Sequence, residues 1–478
     1  MRMKTLVIAM TFLAIFAMAS RVSVDSDTWW HLRTGAWILE HRALPEKDPF
    51  SYTRLGAPWN VPGWVVQIPM VLIYESLGPA GLNLLTAAAA TLAFAVIYPI
   101  LDGGVFLKAF ILILAASAAG VYWAARPYML TFVLAAVFLV ILEQYRTGRR
   151  NRLWLLPILM VLWANGHGGF AAGFLIYGIY LGGHFFREFP RTSLDGLKTA
   201  LFKSQSFIWI GLALLLAVTV NPSGVARLAY PFQTVSIESL QDFIQEWQSP
   251  DFHQNQVQPF AWLIFLVFGA AAASKRGLTF EDFLLVSLFG YLGLISGRNI
   301  ALFALVAALV LARHGAIVVE RLPRWINVDR RPTGFQSALN FGLFLSLLAA
   351  TGLKTYSVLP EAVNQAAYAK YLPVGAVEYL HNANPQGRMF NTYNWGAYLL
   401  WALPEYPVFI DGRTDLYTGE VIADWFQIAR AEPGWEQKLD RWEVRLVLVE
   451  PGLPIADELL AAGWQVLYQD DLSVLLRR

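Results

Sequence analysis

Asp25-Ser-Asp27-Thr-Trp-Trp-His31-Leu-Arg33 begins just after the apolar run 5–20, which is long enough to reach most of the way across a bilayer. Two carboxylates, an imidazole and a guanidinium are therefore expected at a membrane surface, beside two tryptophans of the kind that favour the headgroup layer. Acidic residues at such a boundary, away from any run of ion pairs, mark chemistry or an ion pathway. The stretch decides the fold: the run before it becomes a first span, and the residues after it an outer loop.

Composition agrees. The 478 residues are 56% hydrophobic and 15% charged, against roughly 25% charged in a soluble globular chain, and mean hydropathy is +0.47. This is a polytopic membrane protein. Net charge is +2, and because the basic residues sit in the loops of one side no nucleic-acid partner is expected. There is no cysteine, which excludes disulfides, thiolate metal sites and cysteine nucleophiles. The opening MRMKTLVIAMTFLAIFAMAS reads as an uncleaved first span in preference to a cleaved signal peptide, and in either case the chain after Ser20 lies outside.

Apolar runs long enough to span, or nearly so, fall at 5–20, 81–101, 104–122, 127–145, 153–165, 168–186, 206–221, 259–274, 279–296, 299–318 and 336–353. The run 64–77 is short, contains Pro69 and carries Glu75, and reads as a re-entrant or surface helix. With about eleven spans and an inside N-terminus, the inside segments are 1–4, 146–152, 187–205, 275–277 and 319–335. These hold nearly every loop cluster of Lys and Arg. Counting 64–77 as a span would put those clusters outside, against the positive-inside rule. The predicted architecture is mainly α. A transmembrane helical bundle occupies 1–354, with a first outer loop at 21–80 and a second long one at 222–258, and an extracytoplasmic α/β domain occupies 355–478. In that domain 388–392, 407–410, 444–449, 465–468 and 473–476 read as strands, and 395–403, 419–431 and 454–462 as helices.

Under this topology the unusual polar residues collect at the outer ends of the spans. They are Asp25, Asp27, His31 and Arg33; Arg126; Asn165 and His167; Asn221; Glu238, Asp242, Glu246 and Trp247; and Arg298 with Asn299. Each has a plain structural explanation: helix caps for Asp25 and Asp27, snorkelling anchors for Arg126 and Arg298, a tight turn around His167, a solvated loop for Glu246-Trp247. None of these explains why all share one side. One outward-opening cavity, partly sunk in the bilayer, does. The chemistry available to it is group transfer from a lipid-linked phosphate. A carboxylate near an acceptor hydroxyl acts as general base or orients that hydroxyl through a divalent cation, and a guanidinium holds the phosphate and stabilises the charge that grows on it.

With these residues in view the chain resembles the membrane-embedded C-type (GT-C) glycosyltransferases, which use polyprenyl-phosphate sugars and carry an essential carboxylate in the first outer loop. The matching residues are Asp25-Ser-Asp27, Trp30-His31-Leu-Arg33-Thr-Gly35, Pro45-x-x-Asp48-Pro-Phe-Ser-Tyr52-Thr and Gly56-x-Pro58-Trp59, with the short helix next in the chain. Asp27-x-x-x-His31-x-Arg33 also resembles the first-loop signature of oligosaccharyltransferase catalytic subunits, in which the Asp binds a divalent metal. Glu246-Trp-x-Ser-Pro250, Arg298-Asn299, Trp395-Gly-Ala-Tyr398 and Asp411-Gly-Arg413-x-Asp415 look like features of bacterial relatives. The chain departs from the oligosaccharyltransferases at Trp123–Arg126, which carries no second acidic pair, and at Asn394-Trp-Gly-Ala-Tyr, which echoes their acceptor-reading motif only loosely. A monosaccharide-phosphate donor, as in mannosyl- or aminoarabinosyl-transferases, therefore fits better than sequon recognition.

The resemblance implies an inverting transfer of a sugar from a polyprenyl-phosphate donor to a glycan, lipid or protein acceptor outside a bacterial inner membrane. Asp27 is the expected base, Asp25 its partner, and Arg298 the phosphate clamp with Arg126 or His167. His31, Arg33, Asp48, Trp59, Glu246, Trp247, Asn299, Trp395, Tyr398, Asp411 and Arg413 are expected to bind donor or acceptor; a salt-bridged turn that fixes the domain is an equal reading of Asp411 and Arg413, and helix packing the commoner one for Trp395 and Tyr398. A divalent cation, Mg or Mn at Asp27, is the one cofactor the resemblance brings with it. Transfer from a lipid pyrophosphate and transport of a lipid carrier or solute are the rival functions; a transporter usually shows internal repeats and midplane charges in broken helices, and neither stands out in this sequence.

Overall fold

Backbone polar groups inside lipid must be satisfied within their own segment, and all eleven apolar runs are accordingly helical. The computed structural model describes residues 1–189, 194–235, 245–321, 332–417 and 419–478. Glu238, Asp242 and most of the 321–332 connector lie outside the described residues. Among the described residues six helices are long and apolar enough to cross a membrane, or seven if the pair Leu194–Lys203 and Gln205–Thr219, bent by 60°, is counted as one. Met3–Ala19, Leu155–Gly166 and Gln258–Ser274 are apolar but shorter. Eleven full-length spans thus give way to eleven apolar helices of unequal length. The 64–77 segment is a helix of its own, as expected: the helical stretch Trp64–Ile97 is two helices that meet at a kink at Gly78, where φ +59° suits a residue without a Cβ.

The chain divides into two compact units. The first comprises Met1–Arg21, Asn83–Trp123 and Pro127–Val358. Its centre is Ile300–Glu320, which is buried along most of its length and packs on Val105–Ala119, Gln258–Ser274 and Phe280–Ile295. Ala301, Ala304, Ala307, Ala308 and Ala312 let its neighbours approach closely, the device by which helices associate in lipid. At the other extreme Gly334–Tyr356 lies at the edge and exposes Phe335, Leu339 and Phe341, as a lipid-facing helix does.

Charges inside this unit are paired. Arg313, only 6% exposed, donates to Glu143 at 2.8 Å and to Asp282, while Arg146 and the Tyr180 hydroxyl (3.0 Å) complete the shell of Glu143. Arg187 meets Glu281, whose carboxyl occupies the space that a side chain at Gly183 would need.

The second unit comprises Val22–Leu82, Ala124–Arg126 and Leu359–Arg478. The bundle therefore ends at Val358, where 354 was expected. The first outer loop is a correction: it folds with the C-terminal domain and not with the bundle. That domain contains a four-stranded sheet of β1 (Arg388–Asn391), β2 (Val444–Val449), β3 (Gln465–Gln469) and β4 (Val474–Arg477), in the order β1-β2-β4-β3. β1 and β2 are parallel, so a long crossover must join them; it carries the helices Tyr393–Ala402, Gly419–Ala429 and Trp435–Arg441. β2 and β4, and β4 and β3, are antiparallel.

The strand expected at 407–410 is not part of the sheet. The Asn391 side chain takes its place as a partner: its Oδ1 accepts the Phe409 N–H at 2.9 Å and its Nδ2 donates to the Ile410 carbonyl at 2.8 Å. What remains for this segment is a single parallel bridge, Val408 to Ser51 of the first loop.

Removing one partner from a buried ion pair strands the other charge, at about 3–5 kcal/mol. Arg313→Leu, which abandons both Glu143 and Asp282, should therefore lower the thermal unfolding midpoint of the detergent-solubilised protein. Lys354→Arg, a change at an exposed position near the end of Gly334–Tyr356 that keeps the charge, should leave it nearly unchanged.

Candidate active site

The helix Thr28–His41 starts at Asp27, whose backbone is already helical and whose side chain makes no capping hydrogen bond. The carboxylate turns instead to Arg126: Nη1 lies 2.8 Å from Asp27 Oδ2, and Nη2 lies 3.5 Å from Asp25 Oδ2. Asp25 Oδ1 in turn accepts the Asp27 N–H at 3.0 Å. Helix capping therefore does not account for Asp27. The guanidinium is delivered by a short stitch of main chain. The Ala125 N–H donates to Ser23 Oγ at 2.9 Å, and Thr28 Oγ1 donates to the Ala125 carbonyl at 3.0 Å, so residues on either side of the aspartates grip the residue before Arg126. All three charged side chains keep some access to solvent, 15–26%. Arg126, expected on the donor phosphate, is placed on the aspartates.

His31 is buried one turn into the helix. Gln67 Nε2 donates to its Nδ1 at 2.9 Å, which assigns the neutral ring's proton to Nε2, and the ring packs on Trp30 at 3.5 Å. Gln67 is absent from the residues expected at the site; its polar side chain in the apolar run 64–77 is the signal that points to it. Arg33 is half-buried against the Phe50 ring and 3.5 Å from Glu40, at the edge of this group.

Asp48, Asp411, Arg413 and Tyr417 form a closed network. Arg413 has no exposure to solvent; Nη1 donates to Asp48 Oδ1 at 2.6 Å, and Nε and Nη2 form a fork on the two oxygens of Asp411 at 2.9 and 2.6 Å. Tyr417 OH donates to Asp411 Oδ2 at 2.7 Å. Asp48 also accepts the N–H groups of Phe50 and Ser51, and the guanidinium lies over the Trp59 ring at 4.6 Å. Burial alone would lower the Arg413 pKa, but Asp411, Tyr417 and Asp48 hold it well above the ordinary value. Burial, aided by Asp411, raises that of the Tyr417 phenol. Of the two readings of Asp411 and Arg413, the geometry is that of the salt-bridged turn and not of an acceptor-facing surface: their charges are paired with each other and with Asp48, inside the unit.

Trp395 is an interior group and Tyr398 is half-buried. Trp395, 2% exposed, donates Nε1–H to the Tyr371 carbonyl at 3.0 Å. Tyr398 packs edge-on against Trp29 at 5.1 Å, and burial, with Tyr74 nearby, pushes its phenol up to about 12.

The helical bundle holds a polar group of its own. Tyr128 OH donates to the Arg298 carbonyl at 2.9 Å, and its ring stands edge-on to His167 at 5.9 Å. The Arg298 guanidinium lies over Trp247 at 4.3 Å and 4.0 Å from Glu246 Oε1. His167 Nδ1 accepts the Gly169 N–H at 3.0 Å and lies 2.8 Å from Thr131 Oγ1, the tight-turn arrangement. Asn299 donates to the Leu292 carbonyl at 3.2 Å and so closes a helix end. Tyr128 organises this group, yet in the sequence it reads as one more interfacial aromatic.

A divalent cation at Asp27 does not fit the donor set. Among the described residues no three His, Asp or Glu side chains converge to hold a metal ion. The two carboxylates that do converge share Arg126, whose fixed positive charge stands against them where a dication would have to bind.

No family profile matches this sequence, and no curated protein sequence does. Solved structures do match. The archaeal oligosaccharyltransferase AglB from Archaeoglobus fulgidus, determined with an inhibitory peptide and a dolichol-phosphate, gives a TM-score of 0.54 at 12% identity, over 92% of this chain and 69% of that one. The arabinofuranosyltransferase AftD from Mycobacteria gives 0.50 at 15% identity, over 100% of this chain and 40% of that one. At these identities the likeness is one of fold: the chain shares a fold with this oligosaccharyltransferase and this arabinofuranosyltransferase.

The closed network orders its members by what each removal strands. Tyr417→Phe deletes one hydrogen bond to a buried charge and should cost about 1.5–3 kcal/mol. Arg413→Ala, leaving two buried carboxylates without a cation, should cost about 3–5 kcal/mol. Thermal unfolding followed by tryptophan fluorescence checks the order; equal losses would mean that the pairing does not carry the stability.

Proposed function

We propose that this multi-pass membrane protein is a glycosyltransferase that moves a sugar from a polyprenyl-phosphate donor to an acceptor hydroxyl, with inversion. The observation that carries the reading is the Asp25–Arg126–Asp27 cluster at the mouth of the helix Thr28–His41, on a chain with this fold. The acceptor oxygen attacks the anomeric carbon and its proton passes to an Asp27 oxygen. The bond from that carbon to the phosphate oxygen breaks, and its electron pair leaves with the lipid phosphate. Arg126 holds the Asp27 carboxylate by Oδ2 at 2.8 Å and fixes its orientation. Asp25 fixes the main chain at Asp27 and the second guanidinium nitrogen. In the bundle, Arg298 and His167 are the groups suited to an anionic headgroup. The active face and the C-terminal domain lie outside the bacterial inner membrane in this reading, as the distribution of Lys and Arg favours.

The likeness to AglB favours one second reading, transfer of a glycan from a lipid pyrophosphate to a peptide. Assaying purified protein with polyprenyl-phosphate sugars and with lipid-pyrophosphate glycans separates the two.

Asp27→Asn should lower turnover by about 10²–10⁴-fold with an unchanged unfolding midpoint; an active variant removes Asp27 from the role of base. Because the positive charge beside the aspartates belongs to Arg126, transfer should persist in excess EDTA, and Arg126→Ala should abolish it whether or not Mg or Mn is added. Loss of activity on chelation, restored by the metal, would overturn this part.

A further inference from the structure

In two short motifs singled out in the sequence, Trp395-Gly396-Ala-Tyr398 and Asp411-Gly412-Arg413, the Trp395, Asp411 and Arg413 side chains are buried and Tyr398 packs edge-on against Trp29. Their glycines point to a different use. A Cβ at Gly412 would fall inside the contact radius of Asp27 Oδ1, and it would lie 3.6 Å from Trp30 Nε1. A Cβ at Gly396 would collide with the Ile410 carbonyl and lie 2.8 Å from Asp411 Cα. The 410–413 main chain is therefore wedged between the helix Tyr393–Ala402 on one side and the Asp27 carboxylate on the other. Neither approach needs an unusual backbone at these glycines, whose φ values are negative or extended; what each supplies is space.

The wedge is also rigid. Asn391 Nδ2 donates to the Ile410 carbonyl at 2.8 Å, the Thr414 N–H donates to the Gly412 carbonyl at 2.9 Å, and the Arg413 fork on Asp411, tied to Asp48 and Tyr417, fixes the residues flanking Gly412. Arg126 holds Asp27 from the Oδ2 side.

We propose that the 410–413 turn is a positioning element for Asp27: Gly412 closes against Oδ1, Arg126 holds Oδ2, and the carboxylate is confined to one orientation. Gly396, Asn391, Asp48, Asp411, Arg413 and Tyr417 act through this turn and are positioning residues. The C-terminal domain thereby contributes to the reacting carboxylate without touching substrate. The catalytic consequence rests on the function proposed above; the packing of Gly412 on Asp27 does not.

Two measurements separate these. The first is a stability cycle. Gly412→Ala should lower the unfolding midpoint in the wild-type background and much less in an Asp27→Ala background, where the obstructing carboxylate is gone. Gly452→Ala, whose Cβ meets open space, serves as the control in both. An equal loss in the two backgrounds would overturn the proposal, because a glycine required only by its own loop is indifferent to residue 27. The second is kinetic. Gly412→Ala should reduce kcat by about 10²-fold, the scale expected for a misplaced catalytic group, with donor KM little changed and no further loss when added to Asp27→Asn. Wild-type kcat in a folded Gly412→Ala protein, or full additivity with Asp27→Asn, would overturn it. Should the wild-type protein transfer no sugar at all, the proposed function fails, and the stability cycle still decides whether the turn holds Asp27.

Discussion

A guanidinium with no access to water has to bring its counterions with it. Arg413 does this with Asp411 from its own turn and with Asp48 from a segment 365 residues earlier in the chain. The cost of burying an unpaired charge is several kcal/mol, so once Arg413 is inside, Asp48 cannot be elsewhere. That one requirement draws the first outer loop into the C-terminal domain. The Val408–Ser51 bridge and the cation–π contact of Arg413 with Trp59 lie along the same seam. Because Asp27 lies in that loop, its surroundings are set by residues near the far end of the sequence.

The bundle obeys the same rule with different residues. Arg313 sits in the most buried helix and is matched by Glu143 and Asp282, which come from two other helices. Charges in lipid-embedded helices are tolerated when they meet each other, and a three-helix meeting point also fixes the rotation of each helix about its axis. Alanines along Ile300–Glu320 then set how near the neighbours come, so ion pairs choose the register and small residues choose the distance.

Much of this is legible in the sequence. Apolar run length foretells the eleven apolar helices of the bundle, though not Leu194–Lys203 or Tyr230–Val235, and alternation of branched apolar residues foretells β1 to β4 within a residue or so. The failures share a cause. Residues 407–410 look like a strand because three of the four are apolar and two, Val408 and Ile410, are β-branched, but a side-chain amide at Asn391 satisfies their backbone groups, and no local pattern announces such a substitution. Asp411 and Arg413 are legible as a salt-bridged turn, but the third member, Asp48, comes from 365 residues away and makes their burial tolerable. Arg313 and Asp282 stand in plain view inside apolar runs, where ionisable residues ask for a partner, yet the partner cannot be named from one sequence. At the site, Asp25 and Asp27 are recognisable from their position after the first span, while Arg126 is recognisable as a site residue but not by its neighbour. Its distance in sequence from the aspartates, about a hundred residues, hides a contact that the Ser23 and Thr28 side chains arrange.

A guanidinium and a dication are not interchangeable beside a catalytic acid. A metal ion would take direct coordination from both carboxylates and from the acceptor oxygen, and so make the hydroxyl itself more acidic. Arg126 has no coordination position to offer an acceptor; it offers directed N–H bonds, and the one made to Asp27 goes to Oδ2. Oδ1 is the oxygen against which Gly412 is packed. A base so arranged gains little from electrophilic activation and depends on geometry: the proton must be presented along one line. Confinement of the carboxylate by a glycine turn on one side and a guanidinium on the other is the form that dependence takes in this fold.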